Sequence, residues 1–133
     1  MNKSTMLREH EIEVRVRYRE ADPMGLLHHA NYFTYFEMAR TELLRASGGN
    51  YRQMEAEGRF AVVVRADCHF QRSGHYDGVL KIRVTITRVS AAKIEHEYHV
   101  SRDGTRLAVG HVTLAIVDRD GQVCQVPDWM QDD

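Results

Sequence analysis

Cysteine and proline are almost missing from this chain of 133 residues, which holds two of each. Cys68 and Cys124 build no disulfide framework in a chain this long, and no CxxC spacing makes them a redox or zinc motif. Reduced thiols in a cytoplasmic protein are the expectation. Lys and Arg number 18 against 19 Asp and Glu, so a formal net charge of −1 provides no basic field for nucleic acid. No uncharged apolar run approaches the ~18 residues of a membrane span, and MNKSTMLREHE has no signal-peptide core. The glycines fall at turns rather than in a phosphate-binding loop, and no GxSxG nucleophile elbow exists. What is present is an ordinary globular composition, 43% apolar and 28% charged. Its length suits one domain over residues 1–133 with a real hydrophobic core.

The chain's periodicities divide it cleanly. Ile12, Val14, Val16 and Tyr18 alternate with charged residues, the period of a half-buried strand. Asp22-Pro23-Met24-Gly25 then carries type I turn chemistry, Asp first, Pro second and Gly fourth. From Asn31, a reasonable N-cap, apolar residues recur at three and four positions: Phe33, Phe36, Arg40 and Leu43, beside Tyr32 and Ala39. This predicts a largely buried helix of about four turns, stopped by Gly48-Gly49, and a shorter piece over Tyr51 to Glu57. Four strands follow: Phe60 to Arg72, a run through Leu80 and Ile86, one from Ile94 to Val100, and one from Ala108 to Ile116. An Asp103-Gly104 turn joins the last two. The tail from Pro127 to Asp133 reads as loose. One strand, one long helix and four strands give an α+β fold with a curved antiparallel sheet around a central helix. Such a sheet leaves edges that dimerisation would cover.

Chemistry concentrates between Tyr18 and Arg45. Asp22 precedes proline at a turn and serves the turn first. That turn nevertheless runs almost directly into a helix start, whose unpaired N–H groups can polarise a carbonyl and stabilise an oxyanion. Asp22 there can be a nucleophile or a general base. His28 and His29 are adjacent, so at most one is expected to face a site. No metal is expected: the remaining histidines show no ligand spacing, and His96 and His111 fall at core-like or interface positions. Glu37 lies in an apolar helical segment, so its carboxylate must reach solvent, a partner or a site. Arg65, Arg72, Arg88 and Lys93 are unranked candidates for binding phosphate.

Taken together, Tyr18-x-x-x-Asp22-x-x-Gly25-x-x-x-His29-Ala30-Asn31-Tyr32 and Tyr35-Phe36-Glu37-x-Ala39-Arg40-Thr41-Glu42 resemble the signature of hotdog-fold acyl-CoA thioesterases. The likeness is greatest to the 4-hydroxybenzoyl-CoA thioesterase family and its Tol-Pal-associated bacterial branch. The resemblance implies a five-stranded hotdog fold and hydrolysis of an acyl-CoA thioester, with coenzyme A as part of the substrate and no cofactor. It implies catalytic roles for Asp22 and for His29, whose N–H would polarise the thioester carbonyl. Tyr18, Gly25, Tyr32 and Glu37 match motif positions near the substrate. A homodimer with interfacial sites, paired into a homotetramer, is implied as well. The chain departs from the pattern at Ala21, at the bulky Met24-Gly25-Leu26-Leu27 turn and at His28. The alternatives are a hotdog enoyl-thioester hydratase using His29 and Glu37, or a dimer that binds acyl-CoA or acyl carrier protein without turnover.

Overall fold

Alternating apolar residues become five antiparallel strands in the computed structural model, of which residues 6–131 are described. They are β1 (Glu9–Arg15), β2 (Phe60–Phe70), β3 (Val79–Val89), β4 (Lys93–Arg102) and β5 (Thr105–Val117), ordered β1-β3-β4-β5-β2. Helix α1 (Asn31–Ala46) packs on the sheet, and a short α2 (Tyr51–Ala56) leads into β2. Leu80, Ile82, Val84 and Ile86 on β3 and Ile94, Tyr98 and Val100 on β4 all turn inward and are buried. Their period-two spacing puts them on a single sheet face. The β4–β5 hairpin closes through Asp103 and Gly104, both at positive φ, as a tight two-residue turn requires.

Helix α1 supplies the other half of the core. Tyr32, Tyr35, Phe36, Ala39, Leu43 and Leu44 are buried along one stripe. Phe33 and Met38 fall on the outward side, so the helix is amphipathic rather than buried all round. It ends in a Schellman motif: the Gly48 N–H donates to Arg45 O at 3.0 Å and the Gly49 N–H to Leu44 O at 3.1 Å, with Gly48 at φ 90°. The Phe36 ring stacks on Tyr98 at 4.3 Å between centroids. Gly110 on β5 lies under it, and a Cβ there would overlap the Phe36 ring. Only glycine lets helix and sheet approach so closely.

Several local expectations are corrected. The first strand ends at Arg15, and Tyr18 instead begins a 3₁₀ turn (Tyr18–Glu20). Asn31 is the first helical residue, after Ala30 as N-cap, and its side chain bonds backward to Glu20 O and His28 O. His96 is buried as expected, and His111 takes the outward side of β5 that alternation with Gly110 and Val112 gives it, bonded to Asp67 and Glu97. Those two carboxylates, Asp67 foremost, raise the His111 pKa against its partial burial. The C-terminal segment is docked rather than loose, with a 3₁₀ turn at Asp128–Met130 and Met130 buried. The first five residues of the N-terminal stretch and the last two positions of the tail lie outside the described residues. This arrangement, an antiparallel five-stranded sheet curved around one long helix, is the hotdog fold.

Candidate active site

The loop between β1 and α1 is shaped by its own hydrogen bonds. The Gly25 N–H donates to Asp22 O at 2.9 Å, closing the turn that Pro23 begins, and Gly25 takes φ 79°. Asp22 Oδ1 accepts the N–H groups of Met24 at 2.8 Å and Leu26 at 3.0 Å. One carboxylate oxygen is therefore committed to the turn, and Oδ2 carries no hydrogen bond from the described residues. An antiparallel bridge from Ala21 to Leu27 makes the loop a miniature hairpin. A second bridge, Leu26 to His75, and the Tyr76 N–H on Gly25 O clip it to the loop after β2.

Asp22 thus lines a cleft of about 310 Å3 with Leu26, Leu27, His28, His29 and Tyr32. The far wall is Phe70 to Ser73, from the end of β2 onward. His28 and His29 both face the cleft, contrary to expectation, because their rings stack on each other at 4.2 Å and 29°. His29 and Tyr32 also meet the Phe70 ring edge-on, at 6.4 and 5.0 Å. Burial raises the Tyr32 phenol pKa.

Four of the five N–H groups from His28 to Tyr32 are taken. His28 N donates to Glu20 O, Ala30 N to the His28 ring, Asn31 N to His28 O and Tyr32 N to His29 O. The His29 N–H has no partner among the described residues. It is a free donor just ahead of the α1 N-terminus, where the macrodipole is positive, in a residue that lines the same cleft as Asp22. The His29 ring makes ring contacts and no hydrogen bond to Asp22.

Other expected site residues lie elsewhere within the chain. Tyr18 is 81% exposed and meets Tyr76 edge-on, outside the cleft. Gly25 shapes the turn without lining the cleft. Glu37 lines a separate cleft of about 250 Å3 with Phe33, Thr34, Arg40, Val63 and Ala66, its Oε2 3.8 Å from Arg40. His29 and Glu37 therefore do not meet within one chain. Of the four basic candidates only Arg72 reaches the Asp22 cleft. Sequence reading missed Phe70, which the regular strand pattern hides, and Glu20, whose burial on a polar turn leaves no periodic mark. Among the described residues no three His, Cys, Asp or Glu side chains are disposed to hold a metal ion.

A carboxylate with one free oxygen, a free N–H at a helix start and an aromatic wall can hydrate a polarised carbonyl. Comparison with known proteins finds thioesterases. An acyl-CoA thioesterase of Haemophilus influenzae is 31% identical over 106 residues, covering 79% of this chain and 78% of its own. The crystal structure of a probable thioesterase from Bartonella henselae superposes with a TM-score of 0.85 at 28% identity, over 90% of this chain and 99% of that one. A DHNA-CoA thioesterase from Staphylococcus aureus gives a TM-score of 0.85 at 25% identity, over 90% of this chain and 81% of its own. The thioesterase-like superfamily matches residues 16–133, and the chain belongs to that superfamily.

Proposed function

We propose that this chain is an acyl-CoA thioesterase that releases a free acid and coenzyme A. The single observation that carries the reading is that one cleft is lined by both Asp22, with Oδ2 unengaged, and His29, whose N–H is unpartnered among the described residues. The thioester carbonyl accepts the His29 N–H, and Asp22 takes a proton from the attacking water or attacks directly. Charge developing on the carbonyl oxygen meets a donor already in place, so little reorganisation opposes the step. The departing thiolate is a good leaving group, so no strong acid is required. Phe70 and Tyr32 supply the apolar wall against which an acyl group packs.

The phosphates of coenzyme A fall to Arg72. A neighbouring cleft of about 400 Å3 shares Arg72 and Ser73 with the Asp22 cleft and adds His75 and Arg102. Guanidinium groups suit phosphate because their forked donors bind two oxygens at once. The test is thiol release from short, long and aromatic acyl-CoAs, run beside the same acyl groups on N-acetylcysteamine, which lacks phosphate. Wild-type protein releases thiol from at least one acyl-CoA. Arg72→Ala with Arg102→Ala raises KM about tenfold for the CoA thioester and leaves the cysteamine thioester unchanged. Equal effects on both substrates overturn the phosphate assignment, and no thiol release from any acyl-CoA overturns the thioesterase itself. Added water on an enoyl-CoA, with no thiol release, would favour the hydratase.

The edge strand β2 supports a homodimer. It is 11 residues long, and Val62, Val63, Val64 and Phe70 on it are 38–52% exposed. An uncovered apolar edge of this length is a pairing surface, and a second copy of the same edge would satisfy its free backbone groups. The Asp22 cleft reaches that edge at Phe70, so a partner chain would complete its wall; pairs of dimers follow by the family's habit. Sedimentation equilibrium giving the 15.4 kDa of one chain would overturn the dimer. No described helix is long and apolar enough to cross a membrane. A cytoplasmic location fits the free thiols of Cys68 and Cys124.

A further inference from the structure

Among the described residues three polar or charged side chains are buried, and one of them, Glu20, stands two positions before Asp22. Glu20 is 3% exposed. Burial would push its carboxyl pKa up, but hydrogen bonds from Arg17 and Tyr35 outweigh burial and hold it below the usual range. Oε1 accepts the Arg17 N–H at 2.8 Å and the Tyr35 hydroxyl at 2.7 Å. Oε2 accepts Arg17 Nε at 3.1 Å and an Arg17 terminal nitrogen at 2.9 Å. Its backbone carbonyl does separate work, accepting the His28 N–H at 2.9 Å and Asn31 Nδ2 at 3.0 Å. Tyr35 and Asn31 both belong to α1. One residue thus joins the turn leading to the acid, the histidine pair and the helix.

We propose that Glu20 is a positioning residue, setting the distance between the Asp22 carboxylate and the His29 N–H by bonding both flanks to α1. The inference rests on the thioesterase reading for its kinetic consequence, though not for its geometry. Asp22 and His29 sit on opposite arms of the miniature hairpin, and each arm is one or two residues from a Glu20 bond. The His28 N–H bond to Glu20 O is one of the two that form the Ala21–Leu27 bridge; without it the arms keep the Asp22 N–H on Leu26 O, the turn bonds to Asp22 and the clip to residues 74–76. A misplacement of ~1 Å can cost on the order of a hundredfold in rate, so small slack here is expensive. Tyr35 acts through the Glu20 carboxylate, and Asn31 through the Glu20 carbonyl and the neighbouring His28 carbonyl; neither lines the cleft itself.

The experiment compares Asn31→Ala, Tyr35→Phe and Asn50→Ala with wild type. Asn50 caps α2 through the Gln53 N–H, away from the Asp22 cleft, and matches the single hydrogen bond that Tyr35→Phe removes. Thiol release at saturating acyl-CoA, KM, Tm and backbone amide exchange by NMR are recorded for each. Asn31→Ala and Tyr35→Phe each lower kcat roughly tenfold with KM held within about twofold, and the His28 amide exchanges faster. Asn50→Ala lowers Tm to a similar extent and leaves kcat and the His28 amide as in wild type. Equal kcat across the three variants overturns the proposal, as does unchanged His28 protection in Asn31→Ala. Should Tyr35→Phe fail to fold, Asn31→Ala decides, because Asn31 is only partly buried. If wild-type protein hydrolyses no thioester, the function falls and amide exchange alone judges the clamp.

Discussion

Asp22→Asn lowers kcat by about 10²- to 10⁴-fold while KM changes much less, the range expected when a positioned general base is lost. That corresponds to roughly 3–5 kcal/mol of transition-state stabilisation. The substitution isolates chemistry from structure unusually well. The introduced amide would keep an oxygen in the place of Oδ1 to accept the Met24 and Leu26 N–H groups, so the turn survives. What disappears is the negative charge and proton affinity of the oxygen that no described residue engages. Single-turnover and steady-state thiol release, measured with circular dichroism to confirm the fold, check the result. Turnover like that of wild type in a folded Asp22→Asn protein removes Asp22 from the mechanism.

On acidification from pH 7 to pH 4, His96 costs the native state on the order of 3 kcal/mol. His96 is 4% exposed, and its Nδ1 is a buried nitrogen with no hydrogen-bond partner. Burial pushes its pKa down to about 4, the Arg40 guanidinium adds to that, and the Val112 backbone opposes it. Arg40, from α1, and Tyr98, beside His96 on β4, are the charged and titratable groups around it; the Arg40 guanidinium lies 3.5 Å from the Tyr98 hydroxyl. The sign follows from which state binds the proton. Between the unfolded value near 6.5 and the folded value of about 4, the unfolded chain is protonated and the native chain is not. Stability is therefore complete above ~6.5 and falls as pH drops toward 4. Urea unfolding at several pH values, for wild type and His96→Leu, checks it. The variant should lose up to ~1.4 kcal/mol less per pH unit across that window; parallel curves would show that His96 does not titrate as argued.

Much of the architecture was legible before the fold was seen, for an identifiable reason. Strands β3, β4 and β5 are buried on one face, so their alternation writes that face directly into the sequence. The helix and its stop were equally plain, since Gly48 is the position that must turn left-handed. Local chemistry located Asp22, because the proline and glycine around it mark the turn. The errors came where tertiary bonds override local preference. Asn31 has good capping chemistry but spends its side chain on Glu20 O, eleven residues back. His28 and His29, expected to diverge as chain neighbours, instead stack and face one cleft.

The residues between Tyr18 and Arg45 by themselves determined that an acid, a turn and a helix start would be neighbours, because short-range sequence spacing bounds how far apart they can be. Tertiary structure decided how they function as a cleft. Phe70 and Arg72 reach Asp22 only because β2 returns as an edge strand beside the helix start, a contact between segments roughly fifty residues apart. It also separated Glu37 from His29, although a spacing of eight positions looked compatible with one site. Periodicity reports which face of an element meets the core. Which other element stands opposite is settled by the packing of the whole sheet, and no single stretch of the chain encodes that.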